Sequence, residues 1–229
     1  MALPILQVPI HSITLPVSKK IIEIKPFVIK EEKSLLTSIN TENKEEILKI
    51  FNILIENCVV TKDFNIKELN MVDFFYLILS IRMKSTGEEI EGSLKCKYCK
   101  KNTLFAVNLE ESLKFENINK EIETVSVNDK LVVQMILPNI NLLFENDKLE
   151  VIDLICSSIK SIVYEEIVYN DFTIKEFKEN ILFNLTNQEI KKISDGLERL
   201  PKIKIAFKFI CTNCGKENEF ETEEIIDFF

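Results

Sequence analysis

The chain has 229 residues, enough for one large domain or a domain with a small module attached, and its 46% hydrophobic residues allow a sizeable core. A formal net charge of −8, with acids and bases interspersed, favours protein partners over DNA or RNA, whose binders carry a basic excess or a basic face. With 4 Gly and 6 Pro in all, long linkers are not expected, and neither a Walker loop nor a Gly-x-Gly-x-x-Gly turn is present.

The opening "MALPILQVPI" lacks a basic n-region and carries Pro4 and Pro9, so a secretory signal is not expected. The longest largely apolar run, "FFYLILSI" (Phe74 to Ile81), is far short of the roughly 18 residues of a membrane span. A cytoplasmic setting, in which thiols stay reduced, is the expectation.

Residues 1–30 read as extended, rich in β-branched residues and punctuated by Pro16 and Pro26. Helical patterns follow from about Lys30 to Ser38 and from about Lys44 to Cys58, the latter with Ile47, Ile50, Phe51, Leu54 and Cys58 on one face. Asn65 with Glu68 forms a capping box expected to open a helix that is apolar nearly all round between Val72 and Met83, which marks it as a buried central helix. Alternation from Glu88 to Leu109 gives a hairpin around a cysteine pair. "ETVSVNDKLVVQMILP" gives two further strands joined at Asn128-Asp129.

A helical pattern is then expected from Leu142 to about Val163. Two more helices open at the capping boxes Thr173/Glu176 and Thr186/Glu189, and Pro201 follows the last as a stop signal. "KIKIAFKFI" and "ENEFE" are strands flanking a second cysteine pair, and "EEIIDFF" ends the sequence as a short amphipathic turn whose Phe228 and Phe229 are candidates for docking. The expected class is α+β: a mostly helical body with antiparallel β-hairpins and a split zinc-ribbon module. In domain terms, 1–229 is a single domain, with the ribbon assembled from 88–110 and 202–222 and a strand and helical insertion at 111–201.

Four of the 6 cysteines carry the sharpest signal. "GSLKCKYCKKNTLFAVNLEE" and "FKFICTNCGKENEFETEE" each hold a Cys-x-x-Cys pair, a Lys soon after, a Phe nine residues past the first Cys (Phe105, Phe220) and closing paired glutamates. A Cys-x-x-Cys turn at a hairpin tip aims both sulfurs at one point, and two such knuckles supply the four thiolates of a closed tetrahedral Zn²⁺ site. The expected ligands are Cys96, Cys99, Cys211 and Cys214, around a structural rather than catalytic zinc. Lys95, Lys97, Lys100, Lys101 and Lys216 would offset the excess negative charge. A redox pair or disulfides are the competing uses; both pairs lie between strands rather than in the strand-to-helix setting of a thioredoxin-type motif. Cys58 and Cys156 fall on apolar helix faces and read as core. The patch "KCKYCKK" leaves open phosphate contact with Tyr98 stacked on a base.

No catalytic constellation emerges: His11 is the one histidine, and the glutamate pairs read as exposed faces. An enzyme and a small-molecule substrate are therefore not expected. Three stretches taken together, "LPVSKKIIEIKPFVIKEEKSLL" (Leu15 to Leu36), "FFYLILSIRMKSTGEEIEGSLKCKYC" (Phe74 to Cys99) and "LERLPKIKIAFKFICTNCGKENEFETEEIIDFF", resemble the T4-like phage baseplate protein family, the baseplate hub assembly proteins of contractile-tailed phages. The resemblance spans nearly the whole chain. It implies a non-enzymatic subunit or chaperone of hub assembly in the host cell cytoplasm, with other baseplate hub and tail proteins as partners and the virion tail baseplate as a destination. The first knuckle, "CKYCK", departs from the second, "CTNCG", in lacking a glycine. The alternative reading is a zinc-ribbon regulator acting on nucleic acid or RNA polymerase.

Overall fold

The structure, a computed structural model, describes residues 7–29, 44–141 and 151–223. The helix expected over 30–38, the start of the one expected from Leu142, and the "EEIIDFF" tail lie outside the described residues. In chain order the elements are β1 (His11–Thr14), β2 (Ile21–Ile24), α1 (Lys44–Cys58), α2 (Met71–Thr86), β3 (Glu89–Lys95), β4 (Asn102–Asn108), β5 (Leu113–Glu116), β6 (Glu123–Ser126), β7 (Leu131–Met135), α3 (Val151–Ser158), β8 (Ile159–Tyr164), β9 (Ile167–Tyr169), α4 (Ile174–Asn180), α5 (Asn187–Leu197), β10 (Lys202–Ile210) and β11 (Glu217–Thr222). Single helical or 3₁₀ turns occur at Ile66–Glu68, Leu109–Ser112 and Leu182–Asn184.

The expectation of a mostly helical body is overturned. Strand and helix take equal shares, and the strands form four sheets: β1-β2, β3-β4, β11-β10-β5 and β6-β7-β8-β9. The largest error lies between Leu142 and Val163. The helix there ends at Ser158, and Ile159–Tyr164 is a strand paired antiparallel with both β7 and β9. Ile159, Ser161 and Val163 alternate with Lys160, Ile162 and Tyr164 at the strand period, and β-branched residues suit a pleated surface. What hid the hairpin is its turn. Glu165 and Glu166 carry φ values of 48° and 70°, the two left-handed positions of a tight hairpin turn that glycine or asparagine usually fills.

The start of α2 is also displaced. Asn65 caps only the 3₁₀ turn, through the Lys67 N–H. The helix itself starts one turn later, where the Asn70 side-chain oxygen accepts the Asp73 N–H at 2.9 Å and its amide donates back to the Asp73 carboxylate at 2.8 Å. Asn70-x-x-Asp73 repeats the polar spacing of Asn65-x-x-Glu68, and the later cap is the one that precedes the apolar run. Both threonine capping boxes form as expected, at Thr173/Glu176 and Thr186/Glu189.

The chain divides into two compact units, which are taken separately. The first draws on the ranges Met1–Phe64, Phe75–Phe115 and Ile203–Phe229. Phe51, Leu54, Ile55 and Cys58 of α1 are buried, as are Leu77, Ile78, Leu79, Ile81 and Met83 of α2, in keeping with the near-uniform apolarity of that helix. The β1-β2 hairpin is tied to the end of α1 by Lys25 N–H to Cys58 O and Val60 N–H to Glu23 O, each 2.8 Å.

The second unit draws on Asn65–Phe74 and Glu116–Lys202. Its core joins Val125, Val133 and Met135 of the sheet to Ile155 and Cys156 of α3, Phe177 of α4 and Ile193 of α5. Gly196 of α5 is required there, because a Cβ would lie 2.6 Å from Val125 and 2.9 Å from the Met135 sulfur. A buried carboxylate, Glu123, is held by Lys120 and Arg199. Burial opposes its ionisation, but the two cations outweigh it and keep the carboxyl below its usual range. Among the described residues no helix is long and apolar enough to cross a membrane.

Candidate metal centre

Each cysteine pair sits at the tip of an antiparallel hairpin. β3 and β4 pair from Glu89↔Asn108 to Lys95↔Asn102, and the second hairpin pairs from Ile205↔Thr222 to Ile210↔Glu217. The two knuckles close through the same backbone bonds. The Cys96 N–H donates to Lys101 O and the Cys211 N–H to Lys216 O, both at 2.9 Å. In return the Lys100 N–H donates to Cys96 O at 3.0 Å, and the Gly215 N–H to Cys211 O at 2.8 Å. This geometry puts the fifth residue in the left-handed region, at φ 69° for Gly215 and φ 62° for Lys100. The missing glycine of the first knuckle therefore leaves its shape intact and makes Lys100 carry the strain.

The structure brings together all four expected ligands. The sulfurs of Cys96, Cys99, Cys211 and Cys214 lie within 4.8 Å of one another. Cys96 Sγ is 3.7 Å from Cys214 Sγ, and Cys99 Sγ is 3.6 Å from Cys211 Sγ, so the first cysteine of each pair faces the second of the other. A tetrahedron of sulfurs around a metal at about 2.3 Å has edges of about 3.8 Å. The donor set thus fits a four-coordinate, thiophilic metal ion with no further coordination position to offer a substrate. Cys96 and Cys211 are buried, Cys99 is half-buried and Cys214 is exposed. Cys58 and Cys156 are buried in apolar surroundings as expected, and burial pushes the Cys156 thiol up to about 11.

Two residues that the spacing of cysteines did not single out complete the site. Thr103, 1% exposed, donates its hydroxyl to Cys211 Sγ at 3.1 Å. Asn218, 2% exposed, accepts the Lys97 N–H at 2.9 Å and donates its amide to Cys96 Sγ at 3.5 Å and to Lys216 O at 3.0 Å. Each belongs to one hairpin and bonds the first sulfur of the other. Both stand seven residues after the first cysteine of their own pair, a polar match visible in the sequence once the two stretches are aligned.

These donors set the electrostatics. The Thr103 hydroxyl, joined by the Cys214 and Asn213 amides, outweighs burial and holds the Cys211 thiol down to about 6. The Cys99 and Tyr98 amides with Asn218 hold Cys96 below its usual range. At Cys214 the Lys216 amide favours the thiolate, yet burial and the sulfurs of Cys211, Cys96 and Cys99 together push the thiol up to about 11. Two sulfurs are therefore biased toward the thiolate and the third toward the thiol by their hydrogen-bond partners.

Beneath the sulfurs the matched phenylalanines meet a common partner. Phe105 lies 5.0 Å from Phe207 and Phe220 lies 5.1 Å from it, centroid to centroid, with Phe209 a further 6.3 Å from Phe207. Gly92, opposite Phe105 in the β3-β4 ladder, leaves room for that ring, since a Cβ there would lie 2.7 Å from it. Tyr98 is exposed, but the Lys216 ammonium stands over its ring at 4.6 Å.

The described residues thus form a β-rich scaffold with four cysteines gathered at the tips of two hairpins, a donor set suited to a metal ion. The chain belongs to the T4 bacteriophage base plate protein family, whose profile matches residues 8–229, and is a structural protein of the phage tail baseplate. No curated protein and no solved structure matches it.

Proposed function

We propose that the protein is a non-enzymatic component of baseplate hub assembly, acting through contacts with other hub and tail proteins while the baseplate is built in the host cytoplasm. One Zn²⁺ held by Cys96, Cys99, Cys211 and Cys214 staples its fold. In this reading 88–110 and 202–222 are halves of one metal module, and 111–201 is inserted between them. The observation that carries it is the sulfur cluster, with edges of 3.6 and 3.7 Å, in a chain of the baseplate family. Zinc suits four thiolates because it has no redox chemistry and no geometric preference beyond the tetrahedron they offer. Against the nucleic-acid alternative stands the formal net charge of −8.

Metal analysis of the protein purified without chelator tests the staple: about one zinc per chain is expected, and no zinc with four freely titratable thiols would refute it. Complementation of a phage lacking the protein tests the role. Loss of hub assembly with tail components otherwise made is expected, whereas intact baseplates in its absence would exclude an assembly function.

A further inference from the structure

We propose that the free edge of β9 is a docking site for an extended segment of another protein, one whose short apolar strand is flanked by basic residues. β9 is the last strand of the β6-β7-β8-β9 sheet and, among the described residues, has a neighbouring strand on one side only. Its residues are unusually exposed for their type: Ile167 58%, Val168 57% and Tyr169 45%. Edge strands are commonly blunted by charge, proline or a bulge, and this one carries three consecutive apolar residues instead.

The register decides what the edge offers. Tyr164↔Ile167 closes the two-residue turn, so it is a hydrogen-bonded pair, as is Ile162↔Tyr169 two residues on. Val163↔Val168 lies between them, and the Val168 N–H and C=O point away from β8. A strand laid along β9 would bond both. On the face shared by Ile162, Tyr164 and Tyr169, a groove of about 220 Å³ runs to Phe172 and to Phe177 and Ile181, room for an apolar side chain of that strand.

Charge selects the occupant. Glu165 and Glu166 precede β9 and Asp171 follows it. Glu165 is paired with Lys130, but Glu166 and Asp171 have no ion pair among the described residues. Antiparallel pairing of β9 with a second copy of itself is geometrically allowed about Val168, yet it would set the acids at one end of each strand against those at the other end of its copy. Basic flanks on the incoming strand meet both acids favourably. The site lies wholly in the second unit, so it stands or falls independently of the metal reading.

The test uses the full-length protein and a labelled peptide, KKVTVTVKK, with EEVTVTVEE as its charge-reversed counterpart, followed by anisotropy. Saturable binding of the basic peptide is expected, at least tenfold tighter than the acidic one and weakened by salt. Val168→Pro removes only an outward-facing N–H, a place where sheets tolerate proline, and is expected to weaken binding at least tenfold with the melting curve unchanged. Should that variant fold poorly, Glu166→Lys with Asp171→Lys serves instead and is expected to invert the peptide preference. Equal binding of the two peptides, no saturable binding, or a well-folded Val168→Pro chain that binds as the wild type does would overturn the proposal. So would sedimentation showing that the protein itself dimerises until Val168 is replaced.

Discussion

The two units cohere by different means. The second has a continuous apolar cluster drawn from its sheet and three helices, the ordinary core of a domain. The paired hairpins of the first bury apolar residues along one strand, Ile203, Ile205, Phe207 and Phe209 of β10, and few elsewhere. In β3 only Ile90 is buried, in β4 only Thr103, and in β11 only Asn218. They meet through four sulfurs, a short stack of phenylalanines and polar bonds that include Thr103 to Cys211, Asn218 to Cys96, Lys97 N–H to Asn218 and Asn213 to Asn102 O. Strands β3, β4 and β11 have so little buried surface that a metal on the four sulfurs would matter most there.

Stripping any metal from the four-cysteine cluster is the strongest way to break this contrast. Structural zinc contributes on the order of 10 kcal/mol to small domains. Chelation, or Cys99→Ser, is therefore expected to abolish hydrogen-exchange protection in β3, β4 and β11. Amides of β7, α4 and α5 stay protected. Uniform loss across both units would show that the staple supports the entire chain.

The glycines probe the same difference from the packing side. Gly196→Ala drives a Cβ into Val125 and Met135 in the closed core and is expected to cost about 2 kcal/mol in a denaturant titration. Gly92→Ala meets the Phe105 ring at a similar nominal distance, but in the loosely packed hairpins. It is expected to cost less, and to show instead as altered near-ultraviolet dichroism from the phenylalanine stack. A larger loss at Gly92 would mean that the stack, rather than the sulfurs, holds the hairpins.

Smaller effects come from caps and turns. Thr186→Ala removes an N-cap from α5 and is expected to cost about 1 kcal/mol in the second unit alone. Its partner Glu189 makes that unit acid-sensitive. Hydrogen bonds from Asn128 and then from Thr186 hold the Glu189 carboxyl down to about 2. The folded value lies below that of the unfolded chain, so the stabilisation is present above the ordinary carboxylate range and is lost as pH falls through it toward 2. Glu189→Gln is expected to flatten that limb of the pH–stability curve. The smallest effect is favourable: Lys100→Gly relieves the left-handed strain in the first knuckle and is expected to stabilise it by about 1 kcal/mol, whereas Gly215→Lys in the second does the reverse.

The same contrast explains what could be read from the sequence. The knuckles, the meeting of their four cysteines and the matched Phe105 and Phe220 are legible because a Cys-x-x-Cys pattern is local and is present twice. The threonine capping boxes were legible because the cap and its glutamate are three residues apart. Strands β8 and β9 were missed because a two-residue turn of glutamates carries none of the usual turn residues, and its left-handed backbone is imposed by the pairing on either side. Asn65 with Glu68 carries the capping-box spacing, but Asn70, whose partner is Asp73 rather than Glu or Gln, is the residue that opens the helix. Thr103 and Asn218 carry no metal-ligand signature, and their roles follow only from the crossing of the hairpins.

That crossing also sets a timetable. A ribosome adding about 5–20 residues per second needs roughly 6–23 s to travel from Cys96 to Cys211. Through that interval Cys96 and Cys99 lack the two sulfurs that face them, Phe105 has no ring to rest on, and the Thr103 hydroxyl has no thiolate to serve. The first knuckle is born early and finished late. Host oxidants and proteases can reach it in the meantime, and a chain cut between the two hairpins before the last one emerges never brings Cys211 and Cys214 to Cys96 and Cys99.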